Sequence, residues 1–131
     1  MHLIESTATG TLAITKIAAD SQIKSNEVTV VFSRRSDTPE NIENLFSENV
    51  CLIEQCMHPK TLLFSFFSLR KIIKTISPEI IHCHSSFAGF LGRVSSIGLK
   101  VKIFYSPHCI SFMRKDIGIA KRLIFGLFEW V

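Results

Sequence analysis

Two rhythms of apolar and polar residues alternate along the chain. Short apolar runs recur at 2–6 (HLIES), 28–32 (VTVVF), 49–55 (NVCLIEQ), 79–84 (EIIHCH) and 100–106 (KVKIFYS), and each has the length and make-up of a strand. The stretches between them have helical spacing. Over 11–24, Leu12, Ile14, Ile17, Ala18 and Ile23 fall on a rough stripe. The clearest helix lies in 58–76, where Leu62, Phe66, Leu69, Ile73 and Ile76 form one stripe, widened by Leu63, Phe67 and Ile72. Ser65, Ser68, Lys71 and Thr75 mark its polar side. Pro59 suits the first turn, and Pro78 stops the helix. A shorter helix is predicted within 85–99 and a last one over 116–131. Residues 34–46 read as a polar loop with one helical turn.

This order is an α/β alternation. It predicts one domain over 1–131, with a parallel sheet of about five strands and helices on both faces. The last helix is apolar nearly all round, through Ile117, Ile119, Leu123, Ile124, Phe125, Leu127, Phe128, Trp130 and Val131. Such a helix requires a covering surface, so the expectation is that the chain is part of something longer or sits against another subunit or a membrane.

Charge sharpens this picture. Residues 1–65 carry five Lys/Arg and eight Asp/Glu, whereas 66–131 carry ten Lys/Arg and three Asp/Glu. A basic second half points to an anionic partner: phosphate groups, an acidic lipid surface or nucleic acid. The four cysteines show no CxxC, and Cys51, Cys83 and Cys56 fall in strand-like surroundings, so buried free thiols are expected and disulfides are not. The start lacks the pattern of a secretory signal, and TLLFSFFSL is too short and serine-broken to span a bilayer. The expected location is cytoplasmic, with a peripheral association on the inner face of the cell membrane.

In a parallel sheet, ligands bind beyond the carboxyl ends of the strands. Three polar turns meet that edge: TATGT after the first strand, HSS after the fourth and SPHC after the fifth. His82 and His84 alternate with Cys83, so the histidines share one sheet face. A His-x-His pair is a zinc fragment, but the sequence offers no cluster to complete three or four ligands, so no metal is expected. His82 reads as a core histidine with a satisfied hydrogen bond. Ser85 or Ser86 suits an N-cap, with the hydroxyl accepting an orphan amide bond. Gly89 and Gly92 share a helix face and allow close packing on the sheet. Thr7, Thr9, Gly10 and Thr11 offer amides and hydroxyls, but TATGT is no dinucleotide fingerprint.

The run IIHCHSSFAGFLGRVS, followed by KIFYSPHCISFMRKD, resembles the acceptor-side, N-terminal domain of family-4-type glycosyltransferases of the GT-B fold. HLIESTATGT and VVFSRRSDTPENIENLF resemble the first two strands and the loop after the second. The resemblance implies a Rossmann-like domain, one half of a GT-B fold, whose nucleotide-sugar-binding second half is absent. It implies a retaining transfer from a nucleotide-sugar to an acceptor, lipid-linked or saccharide, in surface polysaccharide (capsule, O-antigen or exopolysaccharide) synthesis, with no cofactor and no nucleic acid. It casts His108 as the active-site histidine near the donor sugar. It places Gly10 near the donor diphosphate, with Thr9 and Thr11 beside it as binding candidates, and has His84, Ser85 and Ser86 line the cleft. Phe87 replaces the usual lysine, and Cys109 the usual glycine. The alternatives are a non-catalytic binding subunit of a split glycosyltransferase, or an inactive remnant.

Overall fold

The computed structural model describes residues 1–108 and 118–130, without the side chains of Thr9 and of several residues within 121–130. Five strands, β1 (His2–Ile4), β2 (Thr29–Phe32), β3 (Cys51–Glu54), β4 (Ile80–His84) and β5 (Lys102–Ser106), form one sheet. Among the described residues all strand pairings are parallel and the order is β3-β2-β1-β4-β5. This is the expected Rossmann-like α/β sheet. The chain moves outward one way from β1, then returns to start β4 on its other side. The crevice between the carboxyl ends of β1 and β4 is therefore the topological switch point where such sheets bind ligands.

Strand alternation divides the core in two. Leu3, Val31, Ile81 and Cys83 face α2 (Leu62–Ile76) and α3 (Ser86–Ser95), packing with Leu69, Ile73, Phe87 and Leu91. Ile4, Val30 and Phe32 face α1 (Thr9–Gln22) with Leu12, Ala19, Ile42 and Phe46. A fully buried leucine or isoleucine here stabilises the fold by about 2 kcal/mol. A last helix, α4 (Ile119–Trp130), packs near α3. Ile119, Leu123, Ile124 and Leu127 remain exposed on it.

Several helix faces differ from the expected stripes. On α1 the buried positions are Leu12, Thr15 and Ala19, while Ile14 and Ile17 face out. Thr15 fits inside because its hydroxyl donates to the Thr11 carbonyl at 2.8 Å. On α2 the expected stripe faces the core, with Leu69 and Ile73 buried and Leu62, Phe66 and Ile72 packed against it, but Ser65 is buried too and Leu63 and Phe67 are exposed. The Ser65 hydroxyl donates to the Cys56 carbonyl at 2.9 Å, which removes the cost of burying it. Pro59 opens a 3-10 turn (Pro59–Thr61) that leads into α2. Ser77 ends α2 in the left-handed region, its N–H donating to the Ile73 carbonyl at 2.8 Å, and Pro78 follows.

The glycines of α3 act as the spacing suggested. A Cβ on Gly92 would lie 2.5 Å from Cys83 Sγ and 3.1 Å from Leu3 Cδ2, and one on Gly89 would lie 2.7 Å from the Tyr105 ring. Of the cysteines, 51, 56 and 83 are free thiols; Cys83 is buried as expected, whereas Cys51, on the edge strand β3, and Cys56, in the loop after it, are exposed. Cys109 lies outside the described residues. Among the described residues no helix is long and apolar enough to cross a membrane.

Candidate functional site

Glu5 and Ser6 follow β1 at the switch point, Ser85 follows β4, and His108 lies just beyond β5. α1 and α3 both begin at this edge, on opposite faces of the sheet. Neither N-cap, Ala8 nor Ser85, makes a side-chain capping bond, and neither first turn contains an acidic residue. The N-termini of α1 and α3 thus meet at one crevice, and their dipoles make it a favourable setting for an anion. Gly10 is exposed in the first turn of α1 and Thr11 is half-buried. Thr9 opens the helix, but its side chain lies outside the described part. Thr7 is buried and used internally: its hydroxyl donates to the Ser33 carbonyl at 3.3 Å and pairs closely with Thr38. Ser33 Oγ accepts the Met57 N–H at 3.1 Å, so the loops after β1, β2 and β3 are knitted together.

The expected hydroxyl cap of α3 does not form. Ser85 adopts φ 88°, ψ 155°, a region that glycine alone enters without strain, and its hydroxyl faces Glu5 Oε2 at 3.5 Å instead. Ser86 is buried within the helix. Glu5 went unremarked in the sequence because nothing in HLIES sets it apart. Burial raises its carboxyl above the usual carboxylate range, against the lowering pull of Arg35, whose Nη1 donates to it at 2.9 Å. Phe87 points into the core, 6% exposed, which is why an apolar residue is accommodated there.

Histidines dominate the centre. His2 pairs in register with His82 across β1 and β4, so His2, His82 and His84 share the α1 face of the sheet. His84 is fully buried and reaches the ligand edge through His108: Nδ1 of His84 lies 2.9 Å from Nε2 of His108, with the rings 3° from parallel. On its other side His84 Nε2 lies 3.1 Å from His2 Nδ1, and His2 Nε2 meets the Gln22 side-chain oxygen at 2.9 Å. His82 is half-buried, with Nε2 2.8 Å from Ser106 Oγ, close to the expected satisfied core histidine. Burial brings the pKa of His2 down to about 4 and that of His84 to about 3, so both are neutral at pH 7. His2 was invisible to a reading of HCHSS alone, because its partner strand lies eighty residues away.

Metal binding can be weighed on these atoms. Ring nitrogens of His2, His82 and His84 lie within 4.8 Å of one another, so β1 supplies a third imidazole to the His-x-His pair. No carboxylate belongs to this group among the described residues. Both nitrogens of His2 and of His84 are already engaged in hydrogen bonds.

Comparison with known proteins agrees with this architecture. The sequence matches the model of Glycosyltransferase Family 4 over residues 19–131. A 53-residue segment is 42% identical to an "Uncharacterized 41.2 kDa protein in cps region" of Klebsiella pneumoniae, covering 37% of this chain and 15% of that relative.

Proposed function

Because the chain belongs to glycosyltransferase family 4, we propose that it forms the acceptor-side wall of a retaining glycosyltransferase cleft, one that moves a sugar from a nucleotide-sugar to a lipid-linked or saccharide acceptor in surface polysaccharide synthesis. The observation that carries this reading is the convergence of His108 with the N-termini of α1 and α3 at the β1/β4 switch point. A departing nucleoside diphosphate gains negative charge as the glycosidic bond forms. Helix amides already oriented toward the crevice stabilise that charge without reorganising. His108 contacts the donor sugar, while a second domain, on the same chain or a partner, grips the nucleotide. The relative from a cps region favours surface polysaccharide as the product class.

The acceptor end of the reading draws on α2. Leu63, Phe64 and Phe67 are exposed on its outer side, beside Lys60, Lys71 and Lys74. Apolar side chains that sink into the interface, framed by lysines, fit an anionic lipid surface, where a lipid-linked acceptor would be met.

Incubating the protein, as its host makes it, with radiolabelled nucleotide-sugars and host lipid extract tests the proposal. Transfer of label to lipid with the anomeric configuration of the donor kept, read by NMR of the product, is the expected result. Inversion, or no transfer from any nucleotide-sugar, overturns it.

A further inference from the structure

The four-member line Gln22–His2–His84–His108 has a direction. A neutral imidazole carries one N–H and one lone pair. The Gln22 oxygen that faces His2 can only accept, so His2 Nε2 bears the hydrogen and His2 Nδ1 is bare. A bare Nδ1 must accept, so His84 Nε2 bears the hydrogen and His84 Nδ1 is bare. His108 Nε2 must then donate to it. Reversing any one member would put two hydrogens, or two lone pairs, into one contact. Burial makes such a mismatch costly, since His2 is 2% and His84 0% exposed. Burial also holds both rings neutral, which the scheme requires, because an imidazolium donates from both nitrogens and ends the line.

We propose that Gln22, His2 and His84 are positioning residues, a one-way hydrogen-bonded wire that fixes His108 in its Nε2–H tautomer and offers its Nδ1 to the ligand as a proton acceptor. The wire runs beneath the sheet face from the end of α1, across β1 and β4, to the loop after β5. At its outer end lies an open cavity of about 820 Å³, to which Gln22, His2 and His82 contribute. There Gln22 is exposed, and the orientation of its amide sets the direction of the whole line. Turning it over would reverse every donor and leave His108 with Nδ1–H, a donor instead of an acceptor. A hydroxyl of the donor sugar would meet a different partner in each state. In this respect the inference rests on the proposed contact between His108 and the sugar; the tautomer itself does not.

Long-range ¹H–¹⁵N spectra of the full chain labelled in histidine read each ring nitrogen directly. At pH 7 His2, His84 and His108 are expected as Nε2–H tautomers. His2→Phe keeps a ring but breaks the wire, and Gln22→Leu breaks it at an exposed position where folding is not at risk. Both are expected to give His108 nitrogens averaged between the two tautomers, while Gln22→Glu, which can only accept, restores Nε2–H. His108 as Nδ1–H in the unaltered chain, or unchanged in both broken variants, overturns the proposal. So does stoichiometric binding of cobalt(II) that shifts His2, His82 and His84 together, since the same nitrogens would then be metal ligands. In the sugar-transfer assay His2→Phe should lower kcat about tenfold with KM for the donor within twofold; an equal loss through KM alone counts against positioning. If the spectra hold but His108→Ala transfers sugar normally, the functional reading fails and the wire stands. If His108→Ala abolishes transfer but the tautomers are mixed, the wire alone fails.

Discussion

His84 Nδ1 lies 2.9 Å from His108 Nε2, so the last residue of β4, itself fully buried, holds the histidine that follows β5. Two turns that look independent in sequence therefore form one unit, and the unit is rigid on its β4 side. Removing the outer imidazole should affect function more than folding, because His108 sits in a half-buried loop position and the core beneath it is otherwise complete. His108→Ala should lower sugar transfer by about a hundredfold, in the range of a positioned proton-transfer group. The same variant should keep its melting temperature within a few degrees. Unchanged turnover would remove His108 from the chemistry.

The two buried histidines make stability depend on pH. Their folded pKa values, about 4 for His2 and about 3 for His84, lie below the 6.5 of an unfolded imidazole. Between those values the unfolded chain binds more protons, so acid favours unfolding. Their contribution is fully present above pH 6.5 and is lost as pH falls toward about 3. Each imidazole should add a slope of up to about 1.4 kcal/mol per pH unit inside that window. Urea titrations at a series of pH values check this. His2→Phe should flatten the slope by one proton, and a slope identical to that of the unaltered chain would show that His2 is not held neutral.

Ser85 occupies a backbone region suited to glycine, at φ 88° and ψ 155°, and its hydroxyl recovers only a long 3.5 Å contact with Glu5. The strain costs on the order of 1–3 kcal/mol. Ser85→Gly should therefore stabilise the chain by about 1 kcal/mol, after the added freedom of the unfolded glycine is subtracted. Thermal unfolding reads the sign. A lower melting temperature would show that the contact with Glu5 outweighs the strain.

The strands and their order of succession were legible because this sheet, buried on both faces, leaves dense apolar runs. The register was not. His2 and Gln22 join His84 only through the parallel pairing of β1 with β4 and the return of α1 over that face, and no local pattern encodes either. The α1 stripe is rotated, whereas on α2 the stripe of Leu62, Phe66, Leu69 and Ile73 faces the core and only its widening differs, with Ser65 inside in place of Leu63 and Phe67, for a related reason. Thr15 and Ser65 are polar by composition, yet each satisfies its hydroxyl on a carbonyl, at Thr11 and Cys56, and so can face the core while bulkier apolar neighbours point outward. The packing role of Gly89 and Gly92 was legible, because two small residues three apart on one helix have few other uses.

Gly92 gives a direct measure of that packing. Its missing Cβ leaves room for Cys83 Sγ, which would otherwise lie 2.5 Å away, and for Leu3 Cδ2 at 3.1 Å. Gly92→Ala should destabilise the chain by about 1–3 kcal/mol, the usual cost of overpacking, despite the better helix propensity of alanine. Cys83→Ala removes the sulfur and should recover part of that loss in the double variant, a coupling visible in a double-mutant cycle. Additive effects would mean that the helix moves off the sheet instead of pressing on the thiol.

The outer face of α2 combines Leu63 at 74%, Phe64 at 65% and Phe67 at 65% exposure with Lys60, Lys71 and Lys74. Neither set suffices alone. Lysines near an anionic surface contribute about 1 kcal/mol each, and the aromatic rings add burial once they reach the acyl boundary. Binding to vesicles that contain a third phosphatidylglycerol should therefore be strong at low salt and weak in neutral vesicles. Lys71→Glu with Lys74→Glu should lower the partition coefficient at least tenfold in the anionic vesicles and little in neutral ones. Phe64→Ser with Phe67→Ser should lower it in both. These four positions are exposed or at the rim of the core, so circular dichroism should report an unchanged fold in every variant. Equal partitioning of all variants would mean that α2 faces something other than lipid.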